Sequence, residues 1–505
     1  MTDVSVESTA REMLAALSSR EMSCSELMDL HLARISERNP ELNAIVSLDE
    51  ERARDGASEA DRTPYDERGP LHGLPWAFKD THDVAGWLTT YGSPLLADNV
   101  PDRDELVVER IRRAGAVPIG KTNVPEFAAG SHTFNTIFGT TRNPVDPTRS
   151  AGGSSGGAAC ALASGMVPLA EGSDMGGSLR NPASFCGVYG LRPSRGRVPA
   201  WPSENQWEAL GTSGPMARTV SDAAVLLSVM AGIDVNDQAT AQLKGRPVTD
   251  FTAALQPDAL RGARIGVARN LAGFHEGVDA VFDQSVARLT AAGAVVVDPA
   301  NLELSEEAGE SELVVLLYEF KDGLNRYLAG RPGAPQTLAE VIAFNERERA
   351  RELPYFGQEL FLQAEAKGPL TDKAYRHARD VSLAAAGRDG IDAVLRKYKL
   401  DALIAPTVGP AWTTDLINGD HFLGGDASSA PAIAGYPHIT VPAGFVHGLP
   451  VGLSFIGSAW SEATLIGLAY AFEQATLARR APDLPATGWN KASADPAPPA
   501  RLFRR

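Results

Sequence analysis

Apolar positions between residues 9 and 38 recur at helical spacing in two blocks, TAREMLAALSSRE and SCSELMDLHLARISER, and predict two amphipathic helices. In the second, Leu27, Leu30, Leu32 and Ile35 supply the apolar face and Pro40 is the stop signal. Further along, the pattern alternates. DRDELVVERIRRAG reads as a helix with acidic residues in its first turn and a glycine exit, and it feeds the short apolar run AVPIG. Helical and buried-strand patterns also follow one another in RGARIGVARN, DQSVARLTAAGAVVVDP and IDAVLRKYKLDALIAPT. Such alternation argues for an α/β protein whose sheet is covered by helices.

From about residue 305 to 400 the strand signal disappears. LVVLLYEFKDGLNRYLAG and TLAEVIAFNERERARELPYFGQELF read as helices with interleaved aromatics, a helical excursion between sheet strands. Sheet-like runs return in HITVPAGF and VGLSFIG, followed by a helix in SEATLIGLAYAFEQATLARR. The last residues, rich in Ala, Pro and Arg, read as a surface tail over 485–505.

Composition narrows the function classes. The 505 residues are 44% hydrophobic and 22% charged, which suits a globular enzyme-sized protein and leaves room for a large core. A formal charge of −16 without a basic stripe argues against a nucleic-acid partner. No run reaches the roughly 18 consecutive apolar residues of a membrane span, and MTDVSVESTAREML lacks the basic start and apolar core of a secretory signal, so a cytoplasmic location is expected. Cys24, Cys160 and Cys186 are too few and too scattered for a disulfide framework or a zinc cluster and read as buried thiols. No metal-ligand spacing is present, and neither metal nor cofactor is expected.

Three motifs compete for the chemistry. Gly115 to Thr122, GAVPIGKT, matches the phosphate-loop pattern, but a helix precedes it, AVPI itself reads as strand and Pro125 follows closely, whereas a phosphate loop needs a strand before and a helix after. GGSSG at Gly152 to Gly156 satisfies the GxSxG elbow of α/β-hydrolases, with His438 and His447 as downstream bases. It follows the polar segment NPVDPTRSA, however, and not an apolar strand. The third reading joins two serine clusters, GGSSGG and DMGGSLR, to Lys79 in GLPWAFKD. Apolar surroundings disfavour the charged form of a lysine, and a neutral lysine relayed through one serine can activate another without histidine.

On these residues the chain resembles the amidase signature family: GLPWAFKD around Lys79, AGGSSGGAA around Ser154 and GSDMGGSLRNPASFCGVYGLRPSRGRVP around Ser178, with separations of 75 and 24 residues that fit the family's order. The resemblance implies one large α/β domain over 1–505, with a central mixed, twisted β-sheet covered by α-helices on both faces. Within it, 1–60 are N-terminal helices, 61–235 the catalytic core and 305–400 a helical substrate-side insertion. Ser178 would be the nucleophile, Ser154 the bridging serine on a cis peptide after Gly153, and Lys79 the ultimate base. The N–H groups of Met175, Gly176, Gly177 and Ser178 would form the oxyanion hole, supported by Ser155, Asp174 and Arg180. Thr89, Tyr91, Ala128 and Ala129 would line the acyl side of the pocket, whereas His82 and His132 receive no role.

The insertion looks similar to bacterial peptide amidases, which implies a peptide or small-molecule amide substrate. Tyr318, Phe320, Phe344, Tyr355, Phe356 and Trp412 supply aromatics that either line the cleft or pack its cover. Other readings of the same resemblance are an aryl-amide, carbamate or ester hydrolase and the glutaminase subunit of a tRNA-dependent amidotransferase. A monomer or homodimer is expected.

Overall fold

A computed structural model describes residues 4–200, 210–246, 250–329, 331, 335–425 and 427–483. The tail expected over 485–505, and the part of ENQWEALGTSGPMAR up to residue 209, lie outside the described residues. The N-terminal helices are Ala10–Ser19 and Cys24–Leu42, each opened by a capping box in which Thr9 or Ser23 accepts from the N–H of Glu12 or Glu26 while that glutamate reaches back. The second helix runs past its expected stop, because Pro40 falls in the last turn, where it removes a single ladder donor. Asn39 then shapes the exit, its Oδ1 accepting from the N–H groups of Ala44 at 2.9 Å and Ile45 at 2.8 Å.

The predicted α/β alternation folds around an eight-stranded mixed sheet. Its order is Val295–Val297, Arg264–Val267, Ala402–Pro406, Leu449–Ile456, His438–Val446, Tyr189–Arg192, Thr212–Ala217 and Ala170–Asp174. The first three strands run parallel, each reached through a helical crossover, and the remaining neighbours pair antiparallel. A separate three-stranded sheet holds Ile45–Leu48, Val117–Thr122 and Pro75–Lys79. The strand carrying Lys79 is therefore outside the large sheet. It is joined to the edge strand Ala170–Asp174 by a side chain: Glu171 accepts from the Trp76 indole at 2.5 Å and from the Lys79 N–H at 2.6 Å. A buried carboxylate thus replaces a backbone ladder at the seam between the sheets.

The 305–400 region builds its own apolar cluster from the helices Glu306–Leu328, Leu338–Arg347, Glu359–Glu365 and Lys373–Ala386, centred on Tyr318, Phe320, Leu324 and Phe361. The run TLAEVIAFNERERARELPYFGQELF forms the helices Leu338–Arg347, Arg349–Glu352 and Glu359–Glu365, and the longer gap follows Glu352 because Pro354 removes a donor and biases Leu353 away from the helical region. This cluster also contains Tyr91 and Phe127 from the core and packs against Met175. The helical region consequently sits directly against the glycine-rich loop that precedes Ser178. All three cysteines are buried, as burial of small apolar side chains predicts. Among the described residues, no helix is long and apolar enough to cross a membrane.

Candidate active site

Lys79 closes a strand whose five residues are all buried. Its Nζ donates to Ser154 Oγ at 2.9 Å and to Ser173 Oγ at 2.5 Å. The second partner was not legible in the sequence, since Ser173 reads there as an ordinary position of the strand before DMGGSLR. Fixing the main chain of Lys79 through Glu171 and its Nζ through two hydroxyls leaves the side chain one orientation.

Ser154 follows a cis peptide bond from Gly153 and lies one residue before Ser155, the N-cap of the buried helix Gly156–Ala163. No side chain fits at residue 153: a Cβ there would lie 2.6 Å from the Gly130 carbonyl oxygen and 2.8 Å from the His132 nitrogen. The loop is held by Thr133, whose hydroxyl donates to the Gly152 carbonyl at 2.8 Å and accepts from the Gly156 N–H at 3.2 Å. Ser155 ties it to the second serine cluster, donating its N–H to the Ser178 carbonyl at 2.9 Å and its hydroxyl to the Ser173 carbonyl at 3.2 Å.

Asp174 organises that second cluster. It is fully buried, and its carboxylate meets the Arg180 guanidinium at 2.7 Å and that of Arg192 at 3.0 Å. It also accepts from the N–H groups of Gly177 at 3.1 Å and Leu179 at 3.0 Å. Burial opposes the charge, yet the Arg180 and Arg192 guanidiniums and these donors hold the carboxyl well below the usual carboxylate range. Residues 177–179 are thereby wrapped around one anion, and Ser178 in their centre is half-buried. Gly177 adopts φ 129°, and a Cβ there would come within 2.7 Å of the Asn181 amide. The Gly177 N–H, one of the four donors expected over residues 175–178, is engaged by Asp174.

The expected pocket residues separate. Ala128 is half-buried and Ala129 exposed, but Thr89 and Tyr91 are fully buried. Thr89 accepts from Lys121 Nζ at 2.8 Å, and Tyr91 packs on Tyr327 with ring centroids 4.8 Å apart. Both side chains are turned into the interior and do not form an open wall. The competing motifs also find internal partners. Lys121 of GAVPIGKT lies within the strand Val117–Thr122, is fully buried, donates to the His82 carbonyl at 2.6 Å and pairs with Asp80. His438 shares Nδ1 with Arg180 at 2.7 Å and Nε2 with Ser454 at 2.6 Å, far from the role of an elbow's base, while His447 sits in an exposed hairpin turn. His82 is bonded to Glu105, and His132 to Asp420 at 2.9 Å.

With this geometry in place, comparison with known proteins is decisive. The family model described as Amidase matches residues 26–466. The chain belongs to the amidase family. A crystal structure of the peptide amidase PAM in complex with the competitive inhibitor chymostatin superimposes on this amidase with a TM-score of 0.90 at 42% identity, covering 95% of this chain and 99% of that one. Native peptide amidase from Stenotrophomonas maltophilia gives 0.88 at 42%, covering 94% and 98%. A glutamyl-tRNA(Gln) amidotransferase subunit of Moorella thermoacetica is 37% identical over 486 residues, 94% of this chain and 98% of that protein. The amidase is accordingly an enzyme of amide C–N bonds with the amidase signature fold.

Glu126 of the core and Glu352 of the helical region form an acidic pair. Burial pushes the Glu126 carboxyl up to about 7, and burial together with the Glu126 charge pushes Glu352 up to about 8. Both Glu352 oxygens and Oε1 of Glu126 lack a hydrogen-bond partner among the described residues. A carboxyl raised in the folded state contributes stability fully present below its unfolded value near 4.3 and lost as pH rises through the folded value. The thermal midpoint is therefore expected to fall between about pH 5 and pH 8. Glu352→Gln should flatten that slope, as read by calorimetry across the range; an unchanged slope would mean that the pair is already ionised at neutral pH.

Proposed function

We propose that this amidase hydrolyses carboxamides through an acyl-enzyme on Ser178, with peptide C-terminal amides as the substrate class. The 2.9 Å contact between Lys79 Nζ and Ser154 Oγ carries the reading, since it supplies a buried base one hydroxyl away from the loop of Ser178. In the first step Ser178 Oγ attacks the carbonyl carbon. Its proton passes to Ser154, whose own proton goes to Lys79, and the relay returns a proton to the departing ammonia or amine. Backbone N–H groups of Met175, Gly176 and Ser178 receive the oxyanion, each such donor lowering the barrier by about 2.7 to 4 kcal/mol. Water then enters by the same relay and releases the acid, restoring Ser178. Asp174, Arg180 and Ser155 act by holding the loops, and no step calls for a cofactor.

The peptide-amide assignment is supported by the 0.90 TM-score and 42% identity to PAM and by the helical region packed over Met175. A second reading, a glutaminase that works only with partner subunits, is favoured by the near-complete coverage of the Moorella thermoacetica amidotransferase chain. One experiment separates them. The purified single chain is assayed by kcat/KM on peptide amides, aliphatic amides, anilides, carbamates and glutamine. At least about tenfold preference for peptide amides is expected; glutamine turnover that requires added partner proteins would replace this assignment with the second.

A further inference from the structure

Two edge strands meet at the seam between the sheets, and one face of the second grips Lys79 at two points. Pro75–Lys79 is an edge of the three-stranded sheet and Ala170–Asp174 an edge of the eight-stranded one. Glu171 and Ser173 are two residues apart in the latter, so their side chains leave the same face about 7 Å apart. Ser173 Oγ accepts from Lys79 Nζ at 2.5 Å, while Glu171 Oε1 accepts from the Lys79 main-chain N–H at 2.6 Å. The Trp76 indole donates to the other Glu171 oxygen at 2.5 Å. Both oxygens of a fully buried side chain accept, the pattern of an ionised carboxylate.

The neighbouring charges have opposite partners. Lys121, on the strand beside Lys79, pairs with Asp80 at 3.5 Å. Asp174 pairs with Arg180 and Arg192, Asp83 with Arg331 and Glu105 with His82. The helices packed on the Lys79 strand bring His31 and Cys160, which burial keeps uncharged at neutral pH. The Glu171 carboxylate is met instead by N–H groups, one of them from the residue proposed as base. In the relay the Ser178 O–H bond breaks, its proton moves to Ser154 Oγ and the Ser154 proton to Lys79 Nζ, so an ammonium forms in the interior. A nearby carboxylate favours that form. We propose that Glu171 is a positioning residue for the base: it fixes where Lys79 Nζ meets Ser154, and its carboxylate stabilises the ammonium that Lys79 becomes. Glu171 itself neither gains nor loses a proton in the cycle.

This rests on Lys79 being the base, and the test keeps the two apart. Steady-state kinetics on the preferred amide, the pH profile of kcat/KM and the thermal midpoint are measured for each variant. Glu171→Gln keeps the size and removes the charge. Its kcat is expected to fall at least about tenfold with KM within about threefold, and the acid limb of its profile to move down by about one pH unit, because Lys79 then gives up its proton more readily. Glu171→Asp keeps the charge, and its limb should stay with the parent's even where kcat falls. Trp76→Phe removes the indole donor and should also leave the limb in place. Combined with Glu171→Gln, it frees the new amide from facing the indole N–H, which supplies a folded neutral variant where Glu171→Gln alone does not fold. An unmoved limb in the neutral variants, or a Glu171→Asp limb displaced as far as theirs, overturns the inference and leaves Glu171 a fastener of the seam. If Lys79→Met is inactive while the neutral variants behave as the parent, the relay stands and this inference alone fails; if Lys79→Met keeps the parent's kinetics, both fall.

Discussion

Ser178→Ala is expected to lower kcat for the preferred amide by roughly 10⁴-fold or more, the usual consequence of removing a nucleophile whose partners act only through it. The fold should be unaffected. Ser178 is half-buried, and the contact that locks its loop to the first serine cluster uses its backbone carbonyl, which alanine keeps. Ammonia release read alongside the thermal midpoint checks both halves. Intact-protein mass spectrometry during turnover adds a direct readout, since an acyl adduct should form on the parent enzyme and be absent from the variant. Retention of more than about one hundredth of the parent kcat would show that the covalent step lies elsewhere.

The second large effect belongs to Lys79. Lys79→Met keeps an unbranched side chain of similar length in a fully buried position while removing the nitrogen that touches both Ser154 and Ser173. Loss of a positioned base typically costs 10²- to 10⁴-fold, and burial out of reach of bulk water places this case near about 10⁴. Its interaction with the first variant is more telling than its size. If Lys79 works by taking the Ser178 proton through Ser154, the double variant Ser178→Ala with Lys79→Met should be no slower than the worse single variant. Multiplicative losses would assign Lys79 a role independent of the nucleophile, and folded protein with unchanged kinetics would remove it from the mechanism.

The structure also explains why one glycine-rich stretch holds two kinds of serine. Ser154 lies inside the core against Lys79, with residue 153 too crowded for any side chain. Ser178 lies on a loop drawn around the Asp174 carboxylate, which accepts from the N–H groups of Gly177 and Leu179. The GxSxG pattern marks the interior serine, and the histidine that such a motif would need is bound to Arg180 and Ser454.

Much of this was legible in the amino-acid pattern. The helix and strand periods gave the α/β class, the terminal helices and the helical region, because apolar spacing reports directly which face is buried. Glycines and serines in fixed local patterns pointed to the two loops, because crowding at Gly153 and positive φ at Gly177 are demands placed on single positions. Contacts between distant segments carry no such local mark. Glu171 bridging two sheets, Ser173 as the second partner of Lys79, the withdrawal of Thr89 and Tyr91 into the interior, and the sharing of Asp420 by His132 and Trp412 depend on residues that only the packing brings together. The amino-acid pattern thus determined the elements and the residue types of the chemistry. Tertiary structure decided their partners, since a side chain's hydrogen bonds and exposure follow from what the fold places beside it.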